Sequence, residues 1–213
     1  MHRKITIPEA AEFLRGADDF LILTHRRPDG DTIGCAAALC GGLRALGKRA
    51  FVLENPQFTP KFRPYLDGLT TETPDENACV VAVDIAASSL FPLGYEAYAD
   101  RTALAIDHHG RNDLYAECSY VDPDAAACGE IILDLLRELG VTPDRRIAEA
   151  LYCAISTDTG CFRYSNTTAA TLRAAADCKD FGADTFAINQ VMFMTKRLSR
   201  LKLEAYLTES TEF

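Results

Sequence analysis

Residues 20–46, FLILTHRRPDGDTIGCAAALCGGLRAL, decide the fold. FLILT (20–24) is a compact apolar run of the kind that fills a buried strand. The polar loop HRRPDG follows at once. From Asp31 onward, Ile33, Ala36, Ala37, Cys40, Leu43 and Leu46 recur at helical spacing, and Gly47 is placed to end the helix. Strand, loop and helix in that order open a βαβ unit. Working outward, Ala50–Leu53, Cys79–Val83 (CVVAV), 102–106 (TALAI) and Cys118–Val121 read as further strands. Helical patterns occupy 7–14, 125–139, 144–156, 168–181 and 188–207. Short apolar strands alternating with helices predict an α/β fold: a doubly wound, mainly parallel five-stranded sheet with helices on both faces. The last helix puts Ile188, Val191, Met192, Thr195, Leu198 and Leu201 on one stripe and reads as an interdomain-type helix.

Composition narrows the function. With 48% hydrophobic and 25% charged residues the chain is of ordinary globular type, and no apolar run approaches the length of a membrane span. The first residues carry no secretory pattern, so the expected location is cytoplasmic, with no membrane partner. The eight cysteines form no CxxC pair and read as reduced core residues. A net charge of -9 argues against coating long nucleic acid, which rests on many cationic contacts to phosphate. Short phosphorylated ligands are compatible with it, and so is a carboxylate site for divalent cations. No GxSxG or Walker motif is present.

Three of the four histidines, His25, His108 and His109, directly follow predicted strands, each beside acids. The clusters are His25-x-x-x-Asp29-x-Asp31, the lone Asp84 that ends CVVAVD, and Asp107-His108-His109. All three stand at strand C-terminal ends, the edge at which open parallel sheets bind ligands. Asp84 follows five apolar residues, where a carboxylate is costly unless a cation or donors compensate it. Asp158, in AISTDTG, ends a helical segment and so faces the negative end of a helix dipole, which a cation would offset. Hard oxygens with two or three imidazoles suit Mn²⁺ best, with Mg²⁺ and Zn²⁺ as the other fits. So many ligands exceed the needs of one ion. Two divalent ions sharing a carboxylate, and phosphoester hydrolysis, are the expected outcome.

HRRPDGDTIG, VAVDIA, AIDHHG and STDTGCFRYSNT resemble, in order, the four motifs of the DHH phosphoesterase family, across roughly 21–167. The PDGDTIG and TGCFRYSNT forms are most similar to its nano-RNase and 3'-phosphoadenosine-5'-phosphate (pAp) phosphatase branch. The resemblance implies that His25 and Asp29 hold one metal, that Asp31, His108 and Asp158 hold the other, and that Asp84 bridges. It implies His109 as the group facing the phosphate or leaving group, with Asp107 supporting the ligand histidine as part of the catalytic set. Arg163 and Arg111 are the candidate phosphate contacts. Short oligonucleotides or phosphorylated nucleosides are the implied partners, and a homodimer is the candidate assembly. The alternatives are a related hydrolase of cyclic dinucleotides or pyrophosphate, and a non-catalytic nucleotide-binding module. Family members usually continue into a smaller domain with a Gly-Gly-Gly-His type motif, absent from this sequence. The expected organisation is therefore a catalytic domain at 1–187 and a linker helix at 188–213, leading to a substrate-binding domain outside this chain.

Overall fold

The computed structural model describes residues 2–211. Strands β1 (Arg3–Lys4), β2 (Phe20–Leu23), β3 (Ala50–Leu53), β4 (Thr70–Thr71), β5 (Cys79–Val83), β6 (Thr102–Asp107) and β7 (Cys118–Val121) form one sheet in the order β1-β7-β6-β5-β2-β3-β4. Every pairing is parallel. The helices are α1 (Ile7–Gly16), α2 (Gly30–Ala45), the single turn α3 (Arg63–Leu66), α4 (Cys128–Glu138), α5 (Arg145–Asp158), α6 (Ala169–Asp180), α7 (Thr185–Asn189) and α8 (Leu198–Glu209).

Handedness explains which face each connection covers. From β1 to β2, β2 to β3 and β3 to β4 the chain moves toward the β4 edge, and right-handed crossovers then place α1, α2 and α3 on one face. Leu14, Leu39, Leu43 and Leu66 are buried there, in a core shared with α4, α5 and α6. From β5 to β6 and β6 to β7 the chain moves the other way, so those connections cover the opposite face. That smaller core holds Leu21, Leu23, Val80, Ile85 and Phe91 under Tyr95, Tyr98 and Tyr115. The α/β class and the winding agree with the sequence reading. The sheet has seven strands rather than five, because the two-residue strands β1 and β4 are too short to show a period. The second face carries 3₁₀ turns (Ser88–Leu90 and Glu96–Arg101) where helices were expected.

A second departure lies near the end of the described chain. The continuous helix expected at 188–207 is instead α7, a π-type turn (Gln190–Met194), extended backbone at Thr195 and Arg197, and then α8. Ile188 is 5% exposed and joins the main core, but Val191, Leu198 and Leu201 are 50%, 66% and 46% exposed. Among the described residues the stripe beyond Ile188 meets little packing partner to reward an unbroken helix. Among the described residues no helix is long and apolar enough to cross a membrane.

The contact that sets the site's width is between α2 and α5. At Gly34 a Cβ would lie 2.3 Å from the backbone oxygen of Ala150, and at Gly30 it would overlap Thr157. The glycines of DGDTIG therefore let two helices approach, bringing Asp158 at the end of α5 toward Asp31 in the first turn of α2. Gly34→Val should cost about 1–3 kcal/mol by overpacking, or about 2–12 °C in Tm for a chain of this size. An unchanged melting temperature in calorimetry would refute the close packing.

Candidate metal centre

The site lies where the winding reverses, outside the carboxyl ends of the adjacent strands β2 and β5, the crevice that a parallel sheet opens at a switch point. β2 delivers His25, and β5 delivers Asp84. The neighbouring strand β6 ends in Asp107 and leads into His108 and His109. Helix α2 starts within the crevice. Asp29 is its N-cap, with Oδ1 accepting from the amides of Asp31 (3.0 Å) and Thr32 (3.3 Å). Thr32 ties the two strand ends together, its hydroxyl donating to the Val83 carbonyl at 3.0 Å. Asp29 thus caps the helix and takes part in the cluster at once.

Three overlapping donor groups result: His25, Asp29 and Asp84; Asp31, His108 and Asp158; and Asp84, His108 and His109. His25 Nε2 lies 3.6 Å from Asp29 Oδ1 and 3.8 Å from Asp84 Oδ2. His108 Nε2 lies 3.6 Å from Asp84 Oδ1, 3.7 Å from Asp31 Oδ2 and 3.6 Å from Asp158 Oδ2. These spacings are too long for hydrogen bonds. Two donors each about 2.1 Å from one ion stand about 3.0–3.6 Å apart for angles of 90° to 120°, so the spacings are close to those of ligands sharing a cation. Asp84 spans the two groups, one carboxylate oxygen toward each.

The ring orientations agree. His25 Nδ1 is 2.7 Å from the Arg26 carbonyl and His108 Nδ1 is 3.1 Å from the Ala125 carbonyl. Each Nδ1–H donates to a carbonyl, leaving Nε2 as the lone pair facing the carboxylates. Asp31, 2% exposed, is gripped from below. The amides of Cys128 and Gly129 at the start of α4 donate to it at 2.7 and 2.9 Å, and the Cys35 thiol at 3.3 Å.

Electrostatics supply the test of fit. Asp84 is 3% exposed, sits at φ +58° where a non-glycine residue is strained, and its buried Oδ1 has no hydrogen-bond partner among the described residues. Burial, then the nearby charge of Asp31, pushes its carboxyl well above the usual range. Burial and the charge of Asp158 push Asp31 up to about 6. Burial likewise raises Asp158, against the pull of His108. For His25, burial opposes the charged ring, but the Asp29 carboxylate and the Arg26 carbonyl outweigh it and the net shift is upward. Without a cation this is an unfavourable arrangement of carboxylates; divalent ions would offset their mutual repulsion and give the unpartnered Asp84 oxygen a partner. The residues present therefore fit hard divalent metal.

Asp107 stands outside the three groups. It is fully buried, with Oδ1 accepting from His109 Nδ1 at 2.7 Å and from the His108 amide at 2.9 Å, and Oδ2 accepting from Asn112 at 2.6 Å. These bonds outweigh the effect of burial and hold its carboxyl below the usual range. It thus orients the ring of His109, whereas the implied support of the ligand histidine's ring falls to the Ala125 carbonyl. Its hydrogen bond also raises the His109 pKa. The His109 side chain is 48% exposed, and Nε2 has no partner among the described residues.

Arg163 and Arg111 are both exposed. Arg163 Nε donates to the Gly160 carbonyl at 2.6 Å, on the turn that follows Asp158. Sequence reasoning missed Asn112, which braces Asp107. It also missed Asn55, which donates to the His25 carbonyl at 3.2 Å, and Asn166, which ties the Asp158 carbonyl (3.3 Å) to that of Ala126 (3.1 Å). Single asparagines in loops carry no periodic signal, and the backbone donors to Asp31 carry none at all.

Comparison with known proteins gives a consistent picture. The family model described as DHH family, N-terminal domain, matches residues 19–155. The bifunctional oligoribonuclease and PAP phosphatase of Thermus thermophilus is 37% identical over 178 residues, covering 81% of this chain and 53% of that protein. Its namesake from Bacillus subtilis is 29% identical over 199 residues, covering 91% and 62%. The chain thus spans about half to three fifths of these two relatives. The crystal structure of an exopolyphosphatase-related protein from Bacteroides fragilis superposes with a TM-score of 0.82 at 22% identity, covering 97% of this chain and 65% of that one.

Proposed function

We infer, since this chain belongs to the DHH family, that it hydrolyses the phosphoester bonds of short oligonucleotides and of pAp, using two divalent metal ions, Mn²⁺ by preference. The observation that carries the reading is Asp84, a buried carboxylate whose two oxygens face two separate sets of donors. The substrate class rests on the Thermus relative, whose name records both activities at 37% identity. His25 and Asp29 would hold one ion, Asp31, His108 and Asp158 the other, and Asp84 both. Bound there, two ions supply Lewis-acid polarisation of the phosphoryl oxygens and a water acidic enough to attack at neutral pH.

The chain's own residues do the rest. Asp107 fixes the His109 ring through Nδ1, so that Nε2 presents a proton to the ester oxygen that leaves. The same hydrogen bond favours the protonated ring, the form that can donate. The backbone amides on Asp31 keep that carboxylate from rotating away when substrate enters. Residues 1–187 are proposed as the catalytic domain and 188–213 as the linker, with the packed body reaching Ile188. Eight free thiols suit a reducing compartment and hence a cytoplasmic location.

The test is direct. With Mn²⁺ the protein should convert a diadenylate to mononucleotides and pAp to AMP and phosphate; no turnover of either with Mn²⁺, Mg²⁺ or Zn²⁺ would overturn the reading. His109→Asn should lower kcat on the dinucleotide by about 10²–10⁴-fold. It should cost much less on bis(p-nitrophenyl) phosphate, whose nitrophenolate leaves without a proton. Equal losses on both substrates would exclude His109 as the acid.

A further inference from the structure

Beside the carboxylate-rich site, the same acidic chain builds a basic groove. From Thr185 to Leu203 no acid occurs, while Lys196, Arg197, Arg200 and Lys202 do. A cleft of about 460 Å³ opens between this segment and the loop after β3, lined by Thr59, Lys61, Lys196, Arg197, Ser199 and Arg200. Lys196 and Arg200 share one acid, Glu204, at 2.8 and 2.9 Å. Lys61 stacks 4.4 Å over the Phe62 ring. Neither Lys61 nor Arg197 has an acidic partner among the described residues. Four cations against one carboxylate leave the groove positive.

Its position relates it to the metal centre. The loop that forms one wall begins at Glu54, and its Asn55 holds the carbonyl of His25. Gln57 of the same loop accepts from the Arg27 amide at 3.2 Å. Thr59 is four positions on from Asn55, so this wall of the groove stands within about 14 Å of the asparagine that holds His25. A strand of a few nucleotides covers that distance. Phosphodiesters meeting an ammonium and a guanidinium at this spacing are the complementary ligand.

We propose that the groove formed by Lys61, Lys196, Arg197 and Arg200 binds the phosphodiester backbone of an oligonucleotide beyond the bond being cleaved, and so favours substrates of three or more nucleotides over pAp. The proposal rests on the phosphoesterase reading, and it predicts that length preference is set by cations on this domain rather than by the metal ligands. Single-strand binding loses affinity with salt in proportion to the phosphates neutralised, with a log–log slope of about -0.7 per contact.

The experiment measures binding of a fluorescein-labelled pentaadenylate by anisotropy in EDTA, where nothing is cleaved, across a salt series. Lys61→Ala with Arg197→Ala should weaken binding about tenfold at low salt and flatten the slope by about 1.4, while Arg197→Lys alone should keep the slope. Competition by unlabelled pAp should be equally weak for parent and variant. An unchanged pentamer affinity and slope, or an equal change for pAp, would overturn the proposal. Because binding is read without turnover, its failure is separate from failure of the hydrolase reading, which hydrolysis of bis(p-nitrophenyl) phosphate by the parent protein with Mn²⁺ decides.

Discussion

Asp84→Asn should reduce kcat on a dinucleotide by about 10³–10⁴-fold, the loss of several kcal/mol of metal-derived stabilisation, while the metal-free protein becomes more stable than the parent. The two effects have one cause. Asp84 is buried at the end of β5, with one oxygen unpartnered and with Asp31 close enough to raise its pKa further. A native group that prefers to be neutral costs stability whenever it must be charged. Asparagine keeps the shape, tolerates the left-handed backbone at φ +58°, and carries no charge. Calorimetry in EDTA at pH 8 should show a higher Tm for the variant, and kinetics with Mn²⁺ should show the loss of turnover. A variant that melts below the parent without metal would show that Asp84 is satisfied by protein groups, and the bridging role would fall with it.

The second large effect is linkage between pH, metal and stability. A carboxyl whose folded pKa stands above its unfolded value binds more protons when folded, so stability falls as pH rises between the two values. For Asp31 that window runs from 3.8 to about 6, worth about 3 kcal/mol across it. Asp84, raised further, extends the fall to higher pH. The metal-free protein should therefore be more stable near pH 5 than near pH 8. Mn²⁺ at about 1,000 times its Kd adds about 4 kcal/mol, or about 8–16 °C in Tm for a chain of this length. The gain should be larger at pH 8, where no proton has to be displaced. Differential scanning fluorimetry at both pH values, with and without Mn²⁺, measures it; equal gains at the two would refute proton–metal competition at these carboxylates.

How much of this was legible beforehand depended on whether the signal was periodic or local. FLILT and CVVAV announced β2 and β5 because buried parallel strands are continuous apolar runs, and the acids that end such runs announced the site. The convergence of His25, Asp84 and His108 followed from topology alone. What stayed hidden is cooperative with distant chain: the amides of Cys128 and Gly129 on Asp31, the brace from Asn112, and the transfer of the His108 ring to the Ala125 carbonyl. The glycines of DGDTIG were visible, yet their contact with α5 was not, since a close helix approach needs both partners on the page. The stripe over 188–207 misled because amphipathicity reports a face and is silent on whether anything meets it.

The two outermost strands bear on how copies of this protein meet each other. β1 and β4 have two residues each, and β1 is made of the exposed cations Arg3 and Lys4. A sheet with such abbreviated margins, one of them charged, gives an incoming strand almost no ladder to extend. Association by edge-to-edge sheet growth, and the fibrous aggregation it leads to, are thereby discouraged at both flanks. Self-association through side-chain surfaces, by contrast, leaves the pairing of the central strands as it is.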